Sequence, residues 1–167
     1  MEPIVNRVAE SDLKVFNPED LWDGREVVEL DIAPWLYGGM VVREKEFREF
    51  VKDHPWTDFA DQHVAVFCSA DAIVPTWAFM LVASRLEPIA TSVALGQKDD
   101  LVRNYFSSRI AAMDLSEFED SIVVIKGCGS GIVPVEAYVD VMHRMQGVAK
   151  KIMYGEPCSF VPLWRRK

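Results

Sequence analysis

Cysteine and histidine are both scarce in this chain of 167 residues, which contains three of each. Three cysteines are an odd number, and a framework of disulfide bonds is therefore not expected. The histidines at positions 54, 63 and 143 show no spacing with serine and acidic residues that singles out a hydrolytic triad. Metal binding, catalysis and simple burial remain as the roles to weigh for the thiols.

Long hydrophobic runs and basic clusters are missing as well. No stretch reaches the roughly 20 apolar residues that a membrane span needs, and the acidic start Met1-Glu2-Pro3 is unlike a signal peptide. The chain has 26 acidic and 18 basic residues and a net charge of −8, which repels the phosphates of nucleic acids. We therefore expect a cytoplasmic protein that binds neither nucleic acids nor membranes.

From residue 63 onwards, apolar strand patterns alternate with helical patterns. The predicted strands cover 63–67, 91–95 and 121–125, the predicted helices cover 74–86, 99–113 and 134–145, and a last short strand covers 160–163. Strands that are apolar throughout indicate βαβ units and a parallel sheet covered by helices on both faces. We predict an α/β protein, a three-layer sandwich with a mostly parallel central sheet, folded as a single domain over residues 1–167.

This domain divides into a core and a lead-in. Residues 61–167 form the βαβαβα core with a C-terminal tail, and residues 1–60 add an N-terminal extension of strand and helices. The alternation of apolar and acidic residues over 28–32 predicts a half-buried strand, and 43–53 is a charged helix. Residues 1–26 are irregular, apart from a helix start at Asn17-Pro18 with Glu19 and Asp20 in its first turn, and 40–42 is a candidate short strand.

A short unit that contains a cysteine occurs twice in the core. Its copies are Cys68-Ser69-Ala70-Asp71-Ala72-Ile73-Val74-Pro75 and Cys128-Gly129-Ser130-Gly131-Ile132-Val133-Pro134. Each copy follows an apolar strand and opens a helix, and a shorter version, Cys158-Ser159-Phe160-Val161-Pro162, lies near the end of the sequence. All the cysteines therefore precede a Val-Pro pair, which indicates shared chemistry.

Cys68 and Cys128 both lie at the carboxyl ends of predicted strands, where ligands bind in parallel α/β sheets. If the strand order is 91–95, 63–67, 121–125, the strands that carry them are neighbours, about 5 Å apart. Two thiolates so placed can share one metal ion, whose bonds to sulfur measure about 2.3 Å. In a sequential order another strand separates the two, and the pair is broken.

The loop around Cys128 adds backbone hydrogen-bond donors. Gly127, Gly129, Ser130 and Gly131 can turn their N–H groups towards one point as an anion-binding nest, and the N-terminus of the following helix adds partial positive charge. Such a field lowers the pKa of a thiol and favours a reactive thiolate at Cys128.

Two further residues complete the candidate set. Asp71, three residues after Cys68, is an oxygen ligand or, alternatively, the N-cap of the next helix. Cys158 can join the other thiols only if the chain breaks near Gly147 and returns, or if it comes from a second subunit of a homodimer. If residues 148–153 instead continue the preceding helix, Cys158 lies at the amino ends of the strands, about 30 Å away.

Unusual strings of residues run through most of the chain. They are CSADAIVPTWA at 68–78, KGC at 126–128, VP at 133–134 with AYV at 137–139, and IMYGEPCS at 152–159. Together they resemble an uncharacterised bacterial family, domain of unknown function 2480. The resemblance implies no established activity. It implies an association with iron–sulfur assembly proteins of the sulfur-mobilising type, which suits a site made of three thiols.

Three hypotheses follow. The first is a site for zinc or a labile iron–sulfur cluster, held by Cys68, Cys128 and Cys158, with Asp71 or solvent in the fourth position. The alternative is a thiol-dependent enzyme for sulfur or acyl transfer, with Cys128 as its nucleophile. The third is a non-catalytic interaction module whose cysteines are structural and whose aromatic C-terminus contacts a partner.

Overall fold

A computed structural model describes residues 13–127, 129–156 and 159–167. Its strands are β1 (Leu13–Phe16), β2 (Val27–Asp31), β3 (His63–Phe67), β4 (Ser92–Leu95), β5 (Ile122–Ile125), β6 (Lys151–Glu156) and β7 (Ser159–Arg165). Its helices are α1 (Glu44–Asp53), α2 (Thr76–Leu86), α3 (Lys98–Ala112) and α4 (Val135–Met145). The chain separates into two compact units: the middle unit is Gly24–Asn104, and the terminal unit is Met1–Asp23 with Tyr105–Lys167.

The middle unit contains an all-parallel sheet with the strand order β2, β3, β4. Helix α1 connects β2 to β3 and α2 connects β3 to β4, so each crossover advances by one strand in the same direction. Leu30, Val64 and Val66 share a buried cluster with Phe47 of α1 and Val82 of α2. Alternate residues of a strand point to the same face, and both helices therefore cover one face of this sheet.

The terminal unit contains a sheet with the strand order β1, β5, β6, β7. The first three strands are parallel, and β7 runs antiparallel to β6. Helix α4 connects β5 to β6 and buries Ala137, Val141 and Met145, a spacing that places them on one helical face. Phe16 of β1 meets Phe118 edge to face, with ring centroids 5.8 Å apart.

The predicted α/β class with mostly parallel strands is confirmed, and the strands are divided between two sheets. The strand order assumed for the cysteines is wrong. β3, which precedes Cys68, has β2 and β4 as its neighbours, whereas β5, which precedes Cys128, has β1 and β6. Both sides of each strand are therefore taken, and the two strands are not adjacent. The single domain over residues 1–167 stays a prediction.

Two strands occur where the sequence did not predict them. Residues 148–153 do not continue α4, because the chain turns at Gly147, whose N–H donates to the Arg144 carbonyl over 3.2 Å, and β6 begins at Lys151. In the lead-in, Leu13–Phe16 forms β1 and pairs with β5. Both strands owe their conformation to pairing with the buried β5, and such a non-local contact leaves little mark on a short stretch of sequence.

Candidate thiol site

The carboxyl ends of β1, β5 and β6 meet at one edge of the sheet in the terminal unit. Phe16, Ile125 and Tyr154 lie in register across these parallel strands. The N–H of Lys126 donates to the Phe16 carbonyl over 2.9 Å, which extends the pairing beyond β5. The segments that follow these strands therefore start side by side, as ligand-binding loops do in parallel sheets.

Glu19 anchors the loop that follows β5. It lies in a short 3-10 turn, Pro18–Leu21, whose N-cap Asn17 accepts the Glu19 N–H through its side-chain oxygen over 3.3 Å. The Glu19 carboxylate accepts a hydrogen bond of 2.8 Å from the backbone N–H of Ser130 and another from the Ser130 hydroxyl. An acid near the start of the described chain thus holds a loop that comes 111 residues later.

These contacts keep Glu19 ionised. The hydrogen bonds from the Ser130 side chain and backbone lower the pKa of the Glu19 carboxyl; desolvation opposes them less strongly, and the positive charge of Lys126 makes the smallest contribution, which also lowers the pKa. A hydrogen bond to the charged form of an acid favours that form. The N–H of Ser130, one of the donors of the predicted anion nest, is thus engaged by an anion of the chain itself.

Glycines in this loop allow contacts that a side chain would prevent. A Cβ at Gly127 would collide with the ring of Tyr154, and a Cβ at Gly129 would collide with the carboxylate of Glu19. Gly131 has a φ of 83°, which glycine adopts without steric cost. The loop is therefore shaped to lie against β6 on one side and against the turn after β1 on the other.

Tyr154 connects the loop with the end of β6. Its ring lies 5.8 Å from the ring of Tyr138 in α4, at an interplanar angle of 82°. At the next residue, Gly155, a Cβ would lie 2.6 Å from the carbonyl oxygen of Ser159, because β7 returns directly against β6. The start of the β6–β7 hairpin connection therefore lies at the same sheet edge as the loop after β5.

Cys128 and Cys158 lie outside the described residues, but their neighbours in the chain do not. Cys128 stands between two of the glycines just described, and Cys158 stands in the connection between Glu156 and Ser159, which pair across the hairpin. The condition that the sequence set for Cys158 is met, since the chain breaks at Gly147 and returns as β6 parallel to β5. The described residues on both sides of each cysteine thus lie at one edge.

Cys68 follows β3 in the middle unit, where it is a half-buried free thiol. Its Sγ lies 3.8 Å from the carbonyl oxygen of Ala70. It borders a pocket of about 350 Å³ at the ends of β3 and β4, together with Phe67, Val74 and Leu95. These apolar surroundings are typical of a cysteine that packs as a small hydrophobic residue.

The acid that anchors the Cys68 loop is Asp31, at the end of β2. Asp31 accepts the Ser69 N–H at 3.0 Å, the Ser69 hydroxyl at 2.5 Å and the Ala33 N–H at 2.9 Å. Burial alone would raise the pKa of Asp31, but these hydrogen bonds outweigh it and lower that pKa. Asp71 is exposed. Its alternative role as the N-cap of α2 is wrong, because Pro75 occupies that position and no side chain caps the helix.

The predicted metal ligands are not brought together within the described part of the chain. Among residues 13–127, 129–156 and 159–167, no group of three or more His, Cys, Asp or Glu side chains could hold a metal ion. Because Cys128 and Cys158 are outside these ranges, the full set of Cys68, Cys128, Cys158 and Asp71 stays a prediction.

The structure adds Glu19 and Tyr154 to the residues around the predicted thiols. Sequence reasoning assigned Glu19 only to the first turn of a helix and gave Tyr154 no role. The one available signal was that a serine follows the cysteine closely in both copies of the repeat, as Ser69 and Ser130. Its acidic partner could not be identified, because that contact spans most of the chain.

The fold and the site define an α/β protein in which cysteine-containing loops follow the carboxyl ends of parallel strands. A family model described as a protein of unknown function (DUF2480) matches residues 2–166, and the chain belongs to this family. The resemblance noted in the sequence is thereby confirmed. No curated protein and no solved structure shows significant similarity to the chain. Within the described residues, no helix combines the length and the apolar character that crossing a membrane requires.

Proposed function

We propose that the sheet edge formed by β5 and β6 is a metal site in which Cys128 and Cys158 provide thiolate ligands. The observation that carries the proposal is the return of β6 beside β5, with Tyr154 paired to Ile125 and packed on Gly127. The chain segments on both sides of each cysteine thereby share one edge. Thiolate ligands favour zinc or an iron–sulfur cluster over magnesium or calcium.

The charges around the loop favour a bound cation over a free thiolate nucleophile. Glu19 is held as an anion against Gly129, and the Ser130 N–H already donates to it. A nearby negative charge raises the pKa of a thiol. Lys126 can balance the negative charge of Glu19, which leaves the negative charges of two thiolates uncompensated. A metal ion would supply the missing positive charge and would keep both sulfur atoms deprotonated.

The remaining predicted ligands, Cys68 and Asp71, belong to the middle unit. The packing of Cys68 does not depend on a metal, because Cys68 borders an apolar pocket and Asp31 anchors its loop, and Asp71 is exposed. We therefore propose Cys128 and Cys158 as the essential pair and Cys68 as a third ligand that can be tested by itself. The carboxylate of Glu19, which lies against Gly129, is an oxygen group that could serve as a further metal ligand.

The test is metal content after purification without oxygen, followed by loading with zinc or with ferrous iron and sulfide. We expect bound metal in the natural protein and a fall to background in Cys128→Ser and in Cys158→Ser. Cys68→Ser removes the same atom from the other copy of the repeat: unchanged metal binding in this variant limits the site to the essential pair, and a loss adds Cys68 as the third ligand. The proposal fails if the natural protein binds neither zinc nor iron, or if the two variants bind as much as it does.

The thiol-enzyme hypothesis has one observation in its favour. Helix α4 begins after Pro134 without a side-chain cap, and the positive end of its dipole, which follows the Cys128 loop in the chain, would favour an anion there. If Cys128 is a nucleophile, it reacts with iodoacetamide faster than a free thiol at neutral pH, in protein without metal. Slow alkylation there, with protection when metal is added, supports the metal site instead.

The finer form of the metal proposal is a labile iron–sulfur cluster exchanged with iron–sulfur assembly proteins. Its support is the family resemblance together with a ligand set of cysteine thiolates. We expect a loaded cluster to transfer to an acceptor ferredoxin faster than a cluster assembles on that ferredoxin from free iron and sulfide. Stable zinc binding without cluster formation would assign the site to zinc.

A further inference from the structure

A pocket of about 530 Å³ opens beside α1 in the middle unit. It has an apolar wall and an acidic wall. The apolar wall consists of Trp35, Phe50, His54 and Pro55, and the acidic wall consists of Glu46, Glu49 and Asp53. This pocket contains no cysteine and lies in a different unit from the proposed metal site.

The aromatic part of the pocket is held rigidly by ring contacts. Trp35 meets His54 with ring centroids 5.0 Å apart and meets Phe47 at 5.7 Å. Behind them, Trp56 lies 4.7 Å from the His54 ring and donates its indole N–H to the Val51 carbonyl over 2.7 Å. The edge-to-face geometry of these pairs is the arrangement that aromatic quadrupoles favour, so the wall is formed before any ligand arrives.

His54 takes part in this wall as an uncharged ring. Its Nε2 atom is buried and has no hydrogen-bond partner among the described residues. Burial lowers the pKa of His54, and the charge of Asp58 only partly opposes this. The imidazole therefore adds an aromatic surface to the pocket and no positive charge.

The acidic wall comes from one face of α1. Glu46, Glu49 and Asp53 are spaced so that they share this face with Phe50. Glu46 is paired with Arg43 at 3.3 Å. Within the described residues, neither Glu49 nor Asp53 has an ion-pair partner. The pocket thus combines uncompensated negative charge with exposed ring surface.

We propose that this pocket binds a small alkylammonium cation. The carboxylates attract its charge, the faces of the aromatic rings attract a cation that has lost part of its water, and its methyl or methylene groups bury apolar area against the same rings. A hydrated metal ion would use only the carboxylates, and an anion would be repelled. A cationic ligand with an apolar body is the class that uses both walls.

The first test compares choline with 3,3-dimethylbutan-1-ol, which has the same shape with carbon in place of the charged nitrogen. Both are titrated into the full chain, and the indole N–H resonance of Trp35, assigned with a Trp35→Phe variant, reports binding. We expect choline to bind at least about fivefold more tightly than the neutral analogue. Equal binding of the two, or no shift beyond that caused by sodium chloride, would overturn the proposal.

The second test removes single charges from α1. Glu49→Gln and Asp53→Asn are expected to weaken choline binding by about two- to fivefold each, as partly exposed charges do. Glu44→Gln is the matched control, because it removes the same charge from the same helix, where Glu44 pairs with Arg48 at 3.0 Å outside the pocket. An equal loss in Glu44→Gln would mean that choline responds to the overall charge, and the pocket would lose its role.

Discussion

The two units anchor their cysteine loops in the same way. In the middle unit, Asp31 at the end of β2 holds Ser69 in the loop after the neighbouring strand β3. In the terminal unit, Glu19 in the turn after β1 holds Ser130 in the loop after the neighbouring strand β5. Each loop leads to a helix whose N-cap is a proline. The repeat in the sequence is therefore a repeat of strand, cysteine loop and helix, with the acid contributed by the end of the neighbouring parallel strand or by the turn that follows it.

The units differ in the structure that borders the cysteine loop on the side away from the anchoring acid. In the middle unit, β4 borders β3 and ends at Leu95, and the loop faces an apolar pocket beside Cys68. In the terminal unit, β6 borders β5 and continues through the connection that contains Cys158 into β7. Only in the terminal unit, therefore, do the described residues on either side of a second cysteine, Glu156 and Ser159, lie at or just after the end of the strand that borders the anchored loop. This difference is the reason for assigning the proposed chemistry to the terminal unit.

The largest effect expected from a single change concerns whether the two units fold together. Leu86 and Met145 end the equivalent helices α2 and α4, and both are fully buried. Truncating either to alanine should lower the free energy of unfolding by about 2–5 kcal/mol. Helix α3 runs without a break across the boundary between the units. We therefore expect the chain to unfold in a single transition, as the predicted single domain requires, and each variant to lower the urea concentration at its midpoint.

Hydrogen exchange in the Leu86→Ala and Met145→Ala variants decides whether the two units form one domain. A single domain loses amide protection throughout the chain in both variants. Protection lost only in the unit that carries the substitution would mean two domains and would contradict the prediction. Met80→Ala on α2 and Val139→Ala on α4 are the controls. Both side chains are 66% exposed, and their removal should change stability little.

A smaller effect is expected when the anchoring acids are removed. Asp31→Ala breaks three hydrogen bonds to a half-buried carboxylate and should lower the free energy of unfolding by about 1–2 kcal/mol. Glu19 is also half-buried but accepts only the two hydrogen bonds from Ser130, so Glu19→Ala should lower global stability less, while the Ser130 amide should exchange faster with solvent.

Urea unfolding and hydrogen exchange measure both effects in the same samples. The amide variants Asp31→Asn and Glu19→Gln retain one acceptor oxygen and should lie between the natural protein and the alanine variants. If Glu19→Ala destabilised the chain as much as Asp31→Ala, the two anchors would be equivalent, and the additional hydrogen bond from Ala33 to Asp31 would have no energetic consequence.

The parts of the fold that could be predicted are those set by local patterns. β3 is apolar over its whole length, so its burial on both faces could be read from five consecutive residues, His63–Phe67. The helices α2 and α4 follow from apolar periodicity. β1 and β6 could not be predicted, because short strands of mixed composition depend on the neighbour with which they pair.

The cysteines of the candidate site stay a prediction, and the contacts around their loops were missed. Cys128 was singled out because glycines flank it after an apolar strand pattern, and the chain break near Gly147 that the sequence allowed for is present in the structure. The strand order was wrong, because no local pattern marks the point at which the crossover through α3 leaves one sheet for another. Glu19 was missed for a related reason, since its contact with Ser130 joins positions far apart in the chain.

The smallest expected effect is a dependence of stability on pH that belongs to the middle unit. Burial lowers the pKa of His54 in the folded chain, whereas an unfolded histidine titrates near a pKa of about 6.5. The unfolded state therefore takes up a proton first as the pH falls. The contribution of neutral His54 to the free energy of unfolding is complete above the pKa of the unfolded state and is lost as the pH drops through the lower pKa of the folded state.

His54→Phe should remove this part of the pH dependence, and His143→Phe, at an exposed position in the terminal unit, should leave it intact. The measurement is the urea midpoint of each variant between neutral and mildly acidic pH. If the curves of natural protein and His54→Phe stay parallel, the acid sensitivity arises elsewhere, and the half-buried imidazole of His54 no longer distinguishes the middle unit.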